Sequence, residues 1–167
     1  MRISKAVTSI LLLISLIFLA ACEQESGTDT AGSARISFKA NEHDKEFGNY
    51  IIHVNAITTD QLPTEIARGY KISRSKNQAM LNVSVRKKSA NGEMPVSAKV
   101  SVVARNLTNQ LKNVTLREIK ETDPIAIYYI GEVSVNNDET LVFDLDVIPE
   151  GSNEPALLTY RQRFFTE

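Results

Sequence analysis

Only one cysteine occurs in the 167 residues, at position 22, so no disulfide within the chain is open to it and its core must hold by burial alone. The two histidines, His43 and His53, lack the fixed spacing of a zinc or calcium loop. There is no Gly-x-Ser-x-Gly elbow, no glycine-rich phosphate loop and no His-Glu-x-x-His, so the common hydrolase, nucleotide-binding and metalloprotease signatures are missing. Positive charge is not in excess either, with 19 Lys+Arg against 20 Asp+Glu. Gripping nucleic acid takes a clustered basic face, and that class is set aside. The longest apolar run, Ile10 to Leu19, is too short for a comfortable membrane span of about 20 residues.

That run has a different meaning in context. Arg2 and Lys5 precede it and the small residues Ala20 and Ala21 follow, which is the layout of an export signal that is removed. Leu19-Ala20-Ala21-Cys22 resembles the lipobox of bacterial lipoproteins. The resemblance implies cleavage before Cys22, fatty acylation of its thiol (palmitate or a similar chain) and acylation of the new amino terminus. The competing reading is an ordinary signal peptide with a cysteine after it. Two or three acyl chains, at about 0.8 kcal/mol per buried methylene, hold a protein to its membrane far better than one. Glu23, rather than aspartate, follows the cysteine. In Gram-negative lipoproteins that implies the periplasmic side of the outer membrane, with an inner-membrane anchor or a soluble periplasmic protein as alternatives.

Residues 1–21 carry two cations and no acid, so the remainder has 17 Lys+Arg against 20 Asp+Glu and a net charge of −3. Residues 22–34 are rich in Gly, Ser and Thr with no apolar periodicity. They are expected to form a lipidated cysteine and a flexible tether, about 20 Å across as a coil. Residues 35–167 suffice for a single core.

Within that domain, apolar residues alternate with polar ones in segment after segment, the period of half-buried strands. Tyr50, Ile52, Val54 and Ala56 share a face, as do Leu81, Val83 and Val85, opposite Asn82, Ser84 and Arg86. Val96 to Val102, a strand beginning at Val114-Thr115-Leu116, Ile125 to Val135, Leu141 to Val147, and Leu158 to Phe164 continue the series. Turn residues separate them at Ala90-Asn91-Gly92, Asn106 to Asn109, Asn136-Asn137-Asp138 and Pro149 to Ser152. The expected fold is an immunoglobulin-like β-sandwich of seven or eight strands. One short helix is expected at Pro63 to Arg68, with proline in its first turn and Gly69 to end it. Leu62 and Ile66 would then plug one end of the sandwich.

Few residues suggest chemistry. His43 lies in a polar run that reads as a solvated loop, His53 in a strand as a rim residue, and Asp144 and Asp146 on one strand face as solubilising acids. The richest polar cluster is Arg74-Ser75-Lys76-Asn77. Its two cations and neighbouring hydroxyl and amide groups suit an anionic carboxylate, phosphate or sugar acid. They also suit a structural loop paired to Glu118 or Glu121.

The strings Gly48 to Ala56, Leu62 to Arg68, Arg74 to Val85, Arg117-Glu118-Ile119 and Ala126 to Ile130 together resemble the bacterial envelope family known as domain of unknown function 4426. The likeness runs from about Phe47 to Phe164-Phe165. It implies an exported single-domain β protein of undetermined function, and it puts Arg74, Ser75, Lys76, Asn77, Arg117, Glu118, Tyr128 and Tyr129 at motif positions.

The expectation is a monomeric, non-catalytic lipoprotein without cofactor or metal. Cys22 would hold it to the membrane while the domain binds or helps assemble an envelope protein or cell-wall component. The alternative is a small-ligand carrier or sensor whose pocket uses Tyr50, Tyr128 or Tyr129. Since neighbours on a strand face opposite sides, at most one of Tyr128 and Tyr129 lines a given pocket.

Overall fold

The computed structural model describes residues 34–167. The export signal, Cys22 and nearly all of the tether therefore lie outside the described residues. The strands are β1 (Ile36–Ser37), β2 (Asp44–Phe47), β3 (Tyr50–Thr58), β4 (Gln78–Ser89), β5 (Gly92–Pro95), β6 (Ala98–Asn106), β7 (Leu111–Lys112), β8 (Arg117–Thr122), β9 (Ile125–Ser134), β10 (Glu139–Pro149) and β11 (Ala156–Phe164). A 3-10 turn, Thr59–Gln61, and one helix, α1 (Thr64–Gly69), separate β3 from β4.

They form two sheets, one ordered β1-β11-β10-β6-β7 and the other β2-β3-β4-β9-β8 with β5 also on β4. Seven strands have six or more residues, and the alternation picks out six of them, β8 being the exception. The other four have two to four residues each, too short for a period of two to register.

The core is the product of that period. Ile52, Val54, Leu81, Val83 and Val85 from one sheet meet Leu141, Phe143, Leu145, Val147 and Leu158 from the other, all fully buried. Two tyrosines tie the sheets across this interior. Tyr50 on β3 donates to the carbonyl of Glu150 at 3.0 Å, and Tyr129 on β9 accepts the Ala98 N–H at 2.7 Å.

Two expectations are corrected. Val114 to Leu116 is not in a ladder, and the strand starts at Arg117. The segment carries the chain from β7 in one sheet to β8 in the other, and a crossing chain cannot keep strand partners. It packs on Gly131 of β9, where an added Cβ would lie 2.8 Å from Val114 Cγ1 and 3.1 Å from the Thr115 carbonyl oxygen.

The helix forms within a residue of its expected bounds, with Pro63 at its N-cap, but it does not plug the end of the sandwich. It lies on the outer face of the β2-β3-β4-β9-β8 sheet, where Leu62, Ala67 and Ile72 bury Met80 and Ile130, flanked by Ile57, Tyr70, Ile119 and Tyr128. Ile66 stays 43% exposed. The reason lies in β9, where Ile125 to Ile130 is apolar on both faces. A strand apolar on both sides needs cover on both.

Candidate functional site

The polar loop after α1 is held mainly by its own neighbourhood. Arg74 donates to the Asp60 carbonyl at 2.5 Å and to Thr64 Oγ1 at 3.2 Å, pinning the loop to the 3-10 turn and the start of α1. No acid is involved. The fully buried Thr59 hydroxyl lies 2.8 Å from the Ser73 carbonyl and accepts the Ser75 N–H at 2.9 Å. Asn77 N–H donates to Ser75 Oγ at 3.1 Å, and its carbonyl accepts the Val135 N–H at 3.0 Å. Lys76 is exposed and has no ion pair among the described residues.

The other four candidates divide between the faces of one sheet. Glu118 and Tyr129 are cross-strand neighbours, and the phenol donates to Glu118 at 2.9 Å. Burial raises the Tyr129 pKa, opposed by the Ala98 N–H and reinforced by Glu118. The same bond, with Lys120 beside it, lowers that of Glu118. Arg117 and Tyr128 face outward, with Arg117 donating to the carbonyl of Tyr70. Tyr128 and Tyr129 therefore serve opposite sides of the sheet; Arg117 lines a concavity of about 260 Å³ with Met80 and Ile130, and Tyr128 lines another.

That concavity belongs to a trough along β4. Beside α1 is a pocket of about 210 Å³ lined by Ile66, Tyr70, Met80, Asn82, Tyr128 and Ile130. Tyr128 also lines a second, about 230 Å³, where Ser84 and Arg86 meet Pro95, Pro124 and Ile125. Ser84 and Arg86 pass in turn into a third, about 490 Å³, with Asp44, Glu46, His53 and Glu93. Met80, Asn82, Ser84 and Arg86 alternate along the floor, so the trough runs ~20 Å. Its middle opens where β4 changes partner. The β4–β9 pairing ends at Val83–Tyr129, and the β4–β5 pairing starts only at Arg86–Pro95.

The carbonyl oxygen of the Asn82 side chain is buried with no hydrogen-bond partner among the described residues. The Tyr70 hydroxyl donates to Glu121, and Arg86 leans on Glu93 at 3.6 Å. The outward placement of Asn82, Ser84 and Arg86 is legible from alternation. Their gathering beneath α1 is not, and the signal that points to it is the two-faced apolar run in β9.

Other groups are structural in their contacts. Asp144 pairs with Arg105 and accepts from Thr159 Oγ1 at 2.6 Å. Burial pushes its pKa up, but those two partners outweigh it and hold the carboxyl below its ordinary value. Asp146 pairs with Arg35 at 2.7 Å. His43 Nδ1 is 3.2 Å from the Val54 carbonyl, and His53 Nδ1 is 2.7 Å from Asp44. Among the described residues no three His, Cys, Asp or Glu are arranged to hold a metal. A cleft of about 420 Å³ at the end of β11 is lined by Asn41, Gln61, Gln162 and Phe165 among others. Two of its amides already bond within the protein, Gln61 to Thr58 and Gln162 to Tyr160.

No curated protein matches the chain. Among solved structures, it is similar to a crystal structure, at 2.09 Å resolution, of a DUF4426 family protein from Pseudomonas aeruginosa PAO1. The two are 26% identical, the match covers 78% of this chain and 99% of that one, and the TM-score is 0.64. The family described as domain of unknown function (DUF4426) matches residues 44–167, which takes in every long strand, α1 and the trough, and the chain belongs to that family.

Proposed function

We propose that this protein is a lipid-anchored envelope protein whose sandwich is a non-catalytic docking module. In this reading Cys22 holds it at the periplasmic face of the outer membrane, and the outer face of the β2-β3-β4-β9-β8 sheet engages an envelope protein. The observation that carries it is the trough. It joins an apolar pocket, a buried unpartnered acceptor and exposed apolar residues, Ile66 at 43% and Ile125 at 72% exposure. Interfaces concentrate their energy in such desolvated pockets, with apolar and aromatic groups at the centre and a polar rim.

A small-ligand carrier is the second reading, supported by Tyr128 in the wall of the pocket. Ligand pockets commonly enclose about 300–1,000 Å³. At about 210 Å³ this one suits a single side chain better.

The test is capture of the full-length protein from gently solubilised envelopes after short-range crosslinking, with Ile66→Asp and Ile125→Asp beside wild type. Both positions are exposed, so the fold tolerates the change. A partner held by wild type and lost from both variants supports docking. A partner held equally by all three places the interface elsewhere.

A further inference from the structure

We propose that the recess between β9 and the β7–β8 crossing segment binds a small zwitterion, an α-amino acid with an apolar side chain, its carboxylate on Arg117 and its ammonium on Glu132. The inference stands apart from the docking reading, since neither Ile66 nor Ile125 lines this recess.

The recess exists because β8 starts late. Arg117, its first residue, pairs with Ile130. Two residues further along β9, Glu132 has Met80 of β4 on one side and no strand on the other. Residues 113–116 pass there instead, crossing from one sheet to the other against Gly131. What is left is a space of about 260 Å³, floored by the buried Met80 and Ile130 and rimmed by Asn113, Thr115, Arg117 and Glu132.

Charge selects the occupant. Arg117 and Glu132 stand diagonally across the β8–β9 pair, where such positions are ~7–8 Å apart. Neither forms an ion pair among the described residues. The Arg117 guanidinium donates to the Tyr70 carbonyl instead, and its remaining N–H groups are left for a ligand. An unmatched cation and an unmatched anion therefore flank one space. A simple anion would be drawn to Arg117 and repelled by Glu132, and a simple cation the reverse. A molecule bearing both charges meets each with its opposite, through charge-assisted hydrogen bonds. An α-amino acid carries carboxylate, ammonium and side chain on one carbon, so with both charges engaged the side chain lies over Met80 and Ile130. The volume falls short of the about 300–1,000 Å³ of drug-sized pockets, which suits one residue and not a chain.

The probe is racemic leucine, set against 4-methylpentanoate, which lacks the ammonium, and 3-methylbutylamine, which lacks the carboxylate. Binding to the full chain in lipid nanodiscs is read by saturation-transfer NMR, with empty nanodiscs as the blank. Leucine should bind saturably and each analogue about tenfold or more weakly. Glu132→Gln should bring leucine down to the level of 4-methylpentanoate, and Arg117→Gln down to that of 3-methylbutylamine.

Absence of saturable leucine binding overturns the proposal. So does an analogue that binds as tightly as leucine, which would make this a plain anion or cation site. Selective leucine binding that survives both substitutions also overturns it, because the ligand then sits elsewhere. Both side chains are exposed, but Arg117→Gln also gives up the Tyr70 contact; if it does not fold, Glu132→Gln decides alone. Partner capture through Ile66 and Ile125 is a separate measurement that neither outcome touches.

Discussion

The hydroxyl of Tyr70 meets Glu121 in a partly buried corner between α1 and β8. Burial first, then the carboxylate's hydrogen bond and charge, push its pKa up from 10.0 to about 12. A raised value in the folded state favours the neutral phenol. Its stabilising contribution is complete below pH 10.0 and is lost as pH rises toward about 12. Tyr70→Phe lacks this proton, so its urea midpoint should lie below wild type at pH 9 and converge on it across that alkaline window. A gap that stays constant there would contradict the assignment. Nothing around Tyr70 announces Glu121, 51 positions away. Arg74 makes the same point, because its suspected acidic partners, Glu118 and Glu121, are engaged with Tyr129 and Tyr70, and its guanidinium closes a local loop instead.

At the scale of elements, strand identity was readable because alternation is a local property, set by residues two apart. Where elements lie is not local. Gly131 illustrates this, since in sequence it is one more small residue on the inner face of β9, and in the fold it is where the β7–β8 crossing segment comes close. Gly131→Ala forces a methyl against Val114 Cγ1 and the Thr115 carbonyl. It should destabilise the domain by about 1–3 kcal/mol, the usual cost of overpacking, read as a lower urea midpoint with an unchanged slope. No loss would mean that the crossing segment is free to move aside. Helix α1 shows the limit from the other direction. Its existence was legible from Pro63 and Gly69, its docking face was not, and Ile66, expected inside, stands at the rim of the trough.

For the whole molecule the first question is attachment. If Cys22 carries the acyl chains, Cys22→Ser should move the protein from the membrane pellet to the soluble fraction and abolish incorporation of labelled palmitate. Persistence in the pellet would require another membrane contact. The mildly acidic charge and the missing catalytic motifs were available from composition, and they steer the reading toward binding. The face proposed to bind needed the fold. Tyr129, one of the eight candidate residues, turns inward and ties the two sheets together with Glu118 accepting its phenol, whereas Asn82, which was not a candidate, sits at the floor of the pocket.

What this sequence determined by itself is what depends on short range. The two-residue period made the strands and divided their faces between core and outside, a proline and a glycine bounded the helix, and the strings shared with DUF4426 carried the family. Only the tertiary structure decided which outward face would be covered, which carbonyl would be buried without a partner, and which polar side chains would be spent on the fold. Those outcomes turn on pairs far apart in the chain, Tyr70 with Glu121, Ala98 with Tyr129, α1 with β9, and such pairs exist only once the two sheets have closed over their core.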